Sequence, residues 1–406
     1  MKPAWVLIAF LWFAYLLNHA DRQVVYTLLP ALQKEFGYTD GALGLLGAVF
    51  LWVYGAGSPF AGILGDRVSK RKIIAASVLI WSGFTALSGF APNGTMLLLC
   101  RGLLGISECL FMPAALALAG TAHAPETRSK ALAIFMSGQL CGVALGGSLA
   151  GYIAEHLHWR AAFWIFGATG ALFSIPFWAF LRGFPEAPPA VGAARGSIKH
   201  FVSLLKIPTL RIVTIFVAIS TFALFLVYSW LATFIAEKFH LGLARAGFEA
   251  SVYGQIGNAI GLLAGGALAD RLFRVNKASR YWVIVTGFLL GGPCVFWIGN
   301  SPTLEMTRIA TIAFGLCHGF IASNQVACSY DVVPAGLRAS TVGVLNLLGG
   351  AVSGFAPFLG GLSRRTIGVD RLMTFTAILM WIAAGLIVYG VRRHFERDHA
   401  KAREAA

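Results

Sequence analysis

Apolar stretches of about 20 residues succeed one another along this chain with little between them. They lie near 4–29, 41–63, 73–91, 95–121, 130–154, 160–182, 209–236, 247–269, 281–299, 303–328, 339–362 and 371–392. Stretches of that length span a bilayer, and in lipid each must pair its own backbone N–H and C=O groups, which makes it a helix. The expected fold is therefore all-α and integral to the membrane, with twelve transmembrane helices and the lipid bilayer as solvent. Charged residues make up 12% of the 406, half the roughly 25% of soluble chains. The first apolar run is too long for a secretory signal, and more follow.

The two halves resemble each other. Gly62-Ile-Leu-Gly-Asp66-Arg67 closes the second stretch and Gly266-Ala-Leu-Ala-Asp270-Arg271 the eighth, an offset of 204. Arg101 and Arg308 open the fourth and tenth, 207 apart, and Arg128 and Arg338 precede the fifth and eleventh, 210 apart. Offsets this similar point to two six-helix bundles in parallel orientation, an arrangement that places a substrate site between halves at mid-membrane. Pro185, Pro188 and Pro189 mark a linker. The expected domains are an N-terminal bundle over 1–182, a linker over 183–207, a C-terminal bundle over 208–393 and a cytoplasmic tail over 394–406. Short polar connections such as Lys34-Glu35-Phe36-Gly37 join the helices.

Basic residues orient the chain. With both termini inside, 22 of the 32 Lys and Arg fall on that side, as the positive-inside rule requires. The net charge of +15 thereby finds its explanation in inner loops facing anionic lipid, and no nucleic-acid partner is expected. The location expected is the cell (inner) membrane, multi-pass, with both termini cytoplasmic. Cys100, Cys109, Cys141, Cys294, Cys317 and Cys328 sit in apolar segments without metal spacing, so neither disulfides nor a metal site is expected.

Against this background four ionisable residues stand out. Asp21 and Arg22 lie inside the first stretch, Arg101 and Glu108 inside the fourth. A charge within hydrocarbon costs a few kcal/mol at least, and normally marks a polar cavity or a partner. Asn18, Asp21 and Arg22 are spaced i, i+3, i+4, so Asn18 reaches either charge. Arg101 and Glu108 are two turns apart on one face. A carboxylate that gains and loses a proton as its surroundings change can couple a proton gradient to transport. Arg22 offers a forked cation suited to a carboxylate or phosphate. The expectation is competitive coupling: ionised Asp21 or Glu108 holds an arginine, and protonation frees it for an anionic substrate. Static ion pairs Asp21–Arg22 and Arg101–Glu108 are the other reading.

The run Gly62-x-Leu64-Gly65-Asp66-Arg67-x-x-Lys70-Arg71-Lys72 resembles the loop signature of the major facilitator superfamily. The resemblance implies a gate at the cytoplasmic side formed by Gly62, Asp66, Arg67, Arg71 and Arg128, echoed by Asp270 and Arg271. Within that superfamily, Asn18-x-x-Asp21-Arg22 with Arg101 and Glu108 is similar to two groups. One is the spinster-like transporters; the other is the anion:cation symporter family, to which Glu108-x-x-x-x-Pro113 and Ser137-Gly138-Gln139 also point. The first implies an amphiphile such as a lysophospholipid, the second a small carboxylate or sugar acid.

The proton-coupling candidates are Asp21 and Glu108. The substrate-binding candidates are Arg22, Arg101, Asn18, His19 and Gln139 in the first half, with His318, Asn324 and Asn346 in the second. Any one of these amides or imidazoles can instead serve an interhelical hydrogen bond. The resemblance implies that the glycine faces 138–142–146 and 257–261–265 form a sliding interface between halves, static packing being the other reading. No HExxH, GxSxG, phosphate-cradling loop or metal-spaced cluster is present, so an enzyme or a channel is the lesser expectation. No bound cofactor is expected. Energy comes from a proton gradient, with sodium the other candidate, and the working unit is a monomer.

Overall fold

Helices form wherever the apolar windows lie. The computed structural model describes residues 3–185, 204–334, 337–364 and 366–404, and no strand occurs among them. The N-terminal helices are α1 (Pro3–Phe36), α2 (Asp40–Arg67), α3 (Lys70–Ser88), α4 (Gly94–Cys109), α5 (Phe111–Ala122), α6 (Pro125–His156) and α7 (Trp159–Gly183). The C-terminal ones are α8 (Pro208–Phe239), α9 (Leu243–Phe273), α10 (Ser279–Asn300), α11 (Leu304–Tyr330), α12 (Arg338–Ser363), α13 (Val369–Gly390) and, after a π-helical turn, α14 (Glu396–Glu404). Among the described residues ten helical segments are long and apolar enough to cross a membrane, α4 and α5 counting as one. α3 and α9 fall outside that set: three basic residues open α3, and α9 carries Gln255 and Asn258 at its middle.

Two helix boundaries differ from the sequence reading. The Lys34–Phe36 connection is helical, because α1 runs on until Gly37, at φ +64°, ends it; glycine takes that left-handed position without the Cβ penalty. The fourth span is broken at Leu110. Pro113 lacks an N–H, and its ring presses on the carbonyl four residues back, at Cys109.

The chain divides into two compact units, one of Met1–Arg195 with Ala232–Val252, the other of Gly196–Leu231 with Tyr253–Ala406. In the first, α1 lies along α6. A Cβ at Gly138 would stand 2.6 Å from the Trp12 carbonyl oxygen, and one at Gly146 2.6 Å from that of Ala20. Also in this unit, Glu155 Oε2 accepts the Ala244 N–H at 3.0 Å.

In the second unit α9 packs on α11. A Cβ at Gly257 or Gly261 would collide with the Ile312 or Leu316 carbonyl, and one at Gly265 would stand 2.8 Å from the Phe320 Cα. Both glycine faces are therefore spent inside their own units, on α1 and on α11, and not on a sliding interface. A small-residue face permits close approach, but spacing alone does not name the partner.

The last helix is docked. Asp398 accepts from the Thr209 N–H at 3.0 Å and the Thr209 hydroxyl at 2.8 Å. His399 Nδ1 lies 2.7 Å from the Asp331 carbonyl, and the Phe395 ring packs 5.2 Å from that of Tyr281.

Candidate functional site

Three helices of the first unit bring the charged residues together. Arg101, Gly105 and Glu108 share a face of α4, and Gly105 lets that face close on α2: a Cβ there would stand 2.9 Å from the Phe50 carbonyl oxygen and 3.2 Å from the Tyr54 nitrogen. Across from them, Arg22 on α1 donates through Nε to Glu108 Oε2 at 2.7 Å. The Glu108 side chain is fully buried, whereas Arg22 keeps 14% of its side-chain surface exposed. Asp21 points elsewhere, accepting from the Thr85 hydroxyl of α3 at 3.2 Å.

The static-pair alternative named Asp21–Arg22 and Arg101–Glu108, and neither forms. Sequence neighbours on a helix diverge by about 100°, so Asp21 and Arg22 point to different neighbours and do not pair with each other. Arg101 instead donates through Nε to the Leu46 carbonyl at 3.3 Å and sits over the Phe50 ring at 4.8 Å. Its repeat mate Arg308 sits over Tyr253 at 4.8 Å, so the guanidinium–ring contact recurs in both units.

Two buried polar atoms of this cluster, Asp21 Oδ1 and Arg101 Nη2, have no hydrogen-bond partner in the protein, while the Asn18 side chain supports Glu108. Each such atom costs about 1–3 kcal/mol, and native proteins keep few of them. They lie in the same cluster as the Arg22–Glu108 ion pair.

The other first-half candidates form a chain beside it. Tyr15 donates to Gln139 Oε1 at 3.2 Å, and His19 Nδ1 lies 3.3 Å from the Tyr15 carbonyl, its ring 4.5 Å from the Tyr15 ring. In the second unit, His318 Nδ1 lies 3.4 Å from Asn258 Oδ1, and the Gln255 amide donates to the Tyr228 hydroxyl. Asn324 is 2% exposed, and its amide reaches the Gly265 and Phe320 carbonyls at 3.3 and 3.1 Å, tying α11 to α9. Asn346 is exposed on α12.

Of the gate candidates, Arg71 Nη1 reaches the Phe184 carbonyl at 2.6 Å, joining α3 to the end of α7. Asp270 lies 3.8 Å from Arg280, which also holds Asp331 at 2.6 Å. Arg128 and Arg271 are exposed. Gly62 lies within α2; the side chains of Asp66 and Arg67 lie outside the described residues.

Sequence reasoning passed over Thr85, Phe50 and Tyr54 as residues of this site. The available signal was spacing, since Phe50 and Tyr54 are i and i+4 on one helix face.

Two bundles of membrane helices carrying a charged cluster in one of them define a transporter, not an enzyme. The model of the Major Facilitator Superfamily matches residues 11–357, and the chain belongs to that family. It is similar to the probable galactarate/D-glucarate transporter GudP of Bacillus subtilis (strain 168), at 25% identity over 94% of this chain and 89% of the relative. It is also similar to an MFS-type efflux pump of Mycolicibacterium smegmatis, at 28% identity over 89% of this chain and 84% of the pump. A crystal structure of a bacterial homolog of the human lysosomal transporter Spinster, inward-facing and unoccupied, superposes with a TM-score of 0.83 at 22% identity. It covers 98% of this chain and 99% of the other, a likeness of fold.

Proposed function

We propose that this transporter carries a small organic anion, a carboxylate or sugar acid, in symport with protons by alternating access. The observation that carries the reading is the 2.7 Å contact of Arg22 with Glu108, the less buried partner being the cation. While Glu108 is ionised it occupies the fork that a substrate carboxylate needs. A proton on Glu108 releases Arg22, and the incoming anion takes its place.

Charge balance argues for the coupling. Asp21, Arg22, Arg101 and Glu108 set two carboxyl groups beside two guanidinium groups, and adding an anion next to an ionised carboxylate in that buried set is costly unless a proton comes with it. One proton per carboxylate keeps the cluster neutral, and Asp21 and Glu108 together provide for two. Similarity to a probable galactarate/D-glucarate transporter supports the sugar-acid class. Gln139, His19 and Asn18, which lie with Arg22 in the first unit, are assigned to the neutral part of the substrate. Asn324, whose amide already serves backbone carbonyls, is assigned to packing. The distribution of basic residues supports an inner-membrane location with both termini in the cytoplasm.

Purified protein in liposomes tests the reading. Labelled D-glucarate should accumulate when the outside is made acidic, and unlabelled carboxylates, not lysophospholipids, should compete. Accumulation driven by sodium alone, or competition by lysophospholipids alone, contradicts it.

A further inference from the structure

The Arg22 side chain meets more than its carboxylate. Its Cζ lies 5.0 Å from the centroid of Phe50 and 4.6 Å from that of Tyr54. Phe50 is fully buried, and its ring also lies 4.8 Å from the Arg101 Cζ. Guanidinium carbon within about 6 Å of a ring centroid is attracted by the negative ring face. The Arg101–Phe50 contact is the one that Arg308–Tyr253 repeats in the second unit. Arg22 brings a second guanidinium to the same Phe50 ring.

A guanidinium cannot give up its proton. When Glu108 becomes neutral, Arg22 is a charge in a largely buried place without a counter-ion, and such a charge either moves toward water or finds another partner. Ring faces attract it without using a full hydrogen bond, so its N–H donors stay available to a carboxylate. We propose that Phe50, assisted by Tyr54, is a positioning residue for anion capture: its ring holds the Arg22 guanidinium in place during the interval between release by Glu108 and arrival of substrate. The inference rests on the proposed exchange at Arg22, and it adds a component that neither proton nor substrate touches.

The test replaces Phe50 with phenylalanines bearing one, two and three ring fluorines, which weaken the ring face while keeping its shape; Phe50→Leu and Phe50→Tyr accompany the series. Uptake of D-glucarate in liposomes should show KM rising stepwise to about tenfold along the fluorinated series, with kcat within twofold and Phe50→Tyr near the parent. Without any substrate, the fluorinated proteins should lose more melting temperature at pH 5 than at pH 8, because the ring matters most when Glu108 is protonated. A flat KM and a pH-independent melting loss overturn the inference. If the parent protein takes up no D-glucarate, the substrate reading fails by itself, and the melting series still decides the role of Phe50.

Discussion

Glu108 and Arg22 face each other from different helices at 2.7 Å, the carboxylate sealed and the guanidinium at the edge of solvent. That asymmetry has a mechanistic consequence. In the exchange proposed above, the group that changes its charge is the shielded one, and the less buried guanidinium receives the anion. Buried polar atoms without protein partners lie beside the pair.

Arg22→Lys keeps the charge and removes the fork. Lysine offers a compact ammonium that pairs with one carboxylate oxygen at a time. KM for a carboxylate should rise roughly tenfold or more, the cost of about one charge-assisted hydrogen bond, while uptake stays responsive to the proton gradient. Saturation kinetics in liposomes measure both.

Gly142 separates packing from sliding. A Cβ there would meet the Leu16 carbonyl and stand 2.9 Å from the His19 Cβ, so Gly142→Leu should force α1 and α6 apart. Overpacking of this kind costs about 1–3 kcal/mol, read as a lower melting temperature in detergent. Gly120→Ala is the control, because a Cβ at Gly120 meets nothing within 4 Å; its melting temperature should be unchanged or higher. Equal melting temperatures for Gly142→Leu and the parent contradict the packing described here.

The docked end of the chain is held by Asp398. Its removal in Asp398→Ala leaves the buried Thr209 N–H and hydroxyl without their acceptor, at a cost of about 0.5–2 kcal/mol for a lost helix cap. Limited trypsin digestion should then cut at Arg397 and Lys401 sooner than in the parent, with KM unaltered. Identical digestion patterns would show that other contacts, such as Phe395 on Tyr281, suffice.

These residues also show what a sequence can and cannot disclose. The membrane helices were legible because lipid imposes a length and a composition on anything that crosses it. Asp21, Arg22, Arg101 and Glu108 were legible because a charge stands out against such a background. Who pairs with whom was not. The Arg22–Glu108 contact joins residues 86 apart and depends on Gly105 admitting α4 to α2, a packing event without local signature. The glycine stripes announced close approach but not the helix approached. Asn324 and His318 look alike as polar residues in an apolar segment, yet Asn324 is occupied by backbone carbonyls while His318 meets the side chain of Asn258.

The central claim is that protons enter transport through the carboxylates at Arg22, and Glu108→Gln addresses it most directly. Glutamine preserves size and burial but is permanently uncharged, so Arg22 is always released. In liposomes, labelled D-glucarate should still exchange against unlabelled substrate in counterflow at equal pH, and acidifying the outside should no longer drive accumulation above equilibrium. Asp21→Asn in parallel reports whether the second carboxylate shares the load. Proton-driven accumulation at parental levels in both variants would contradict the account.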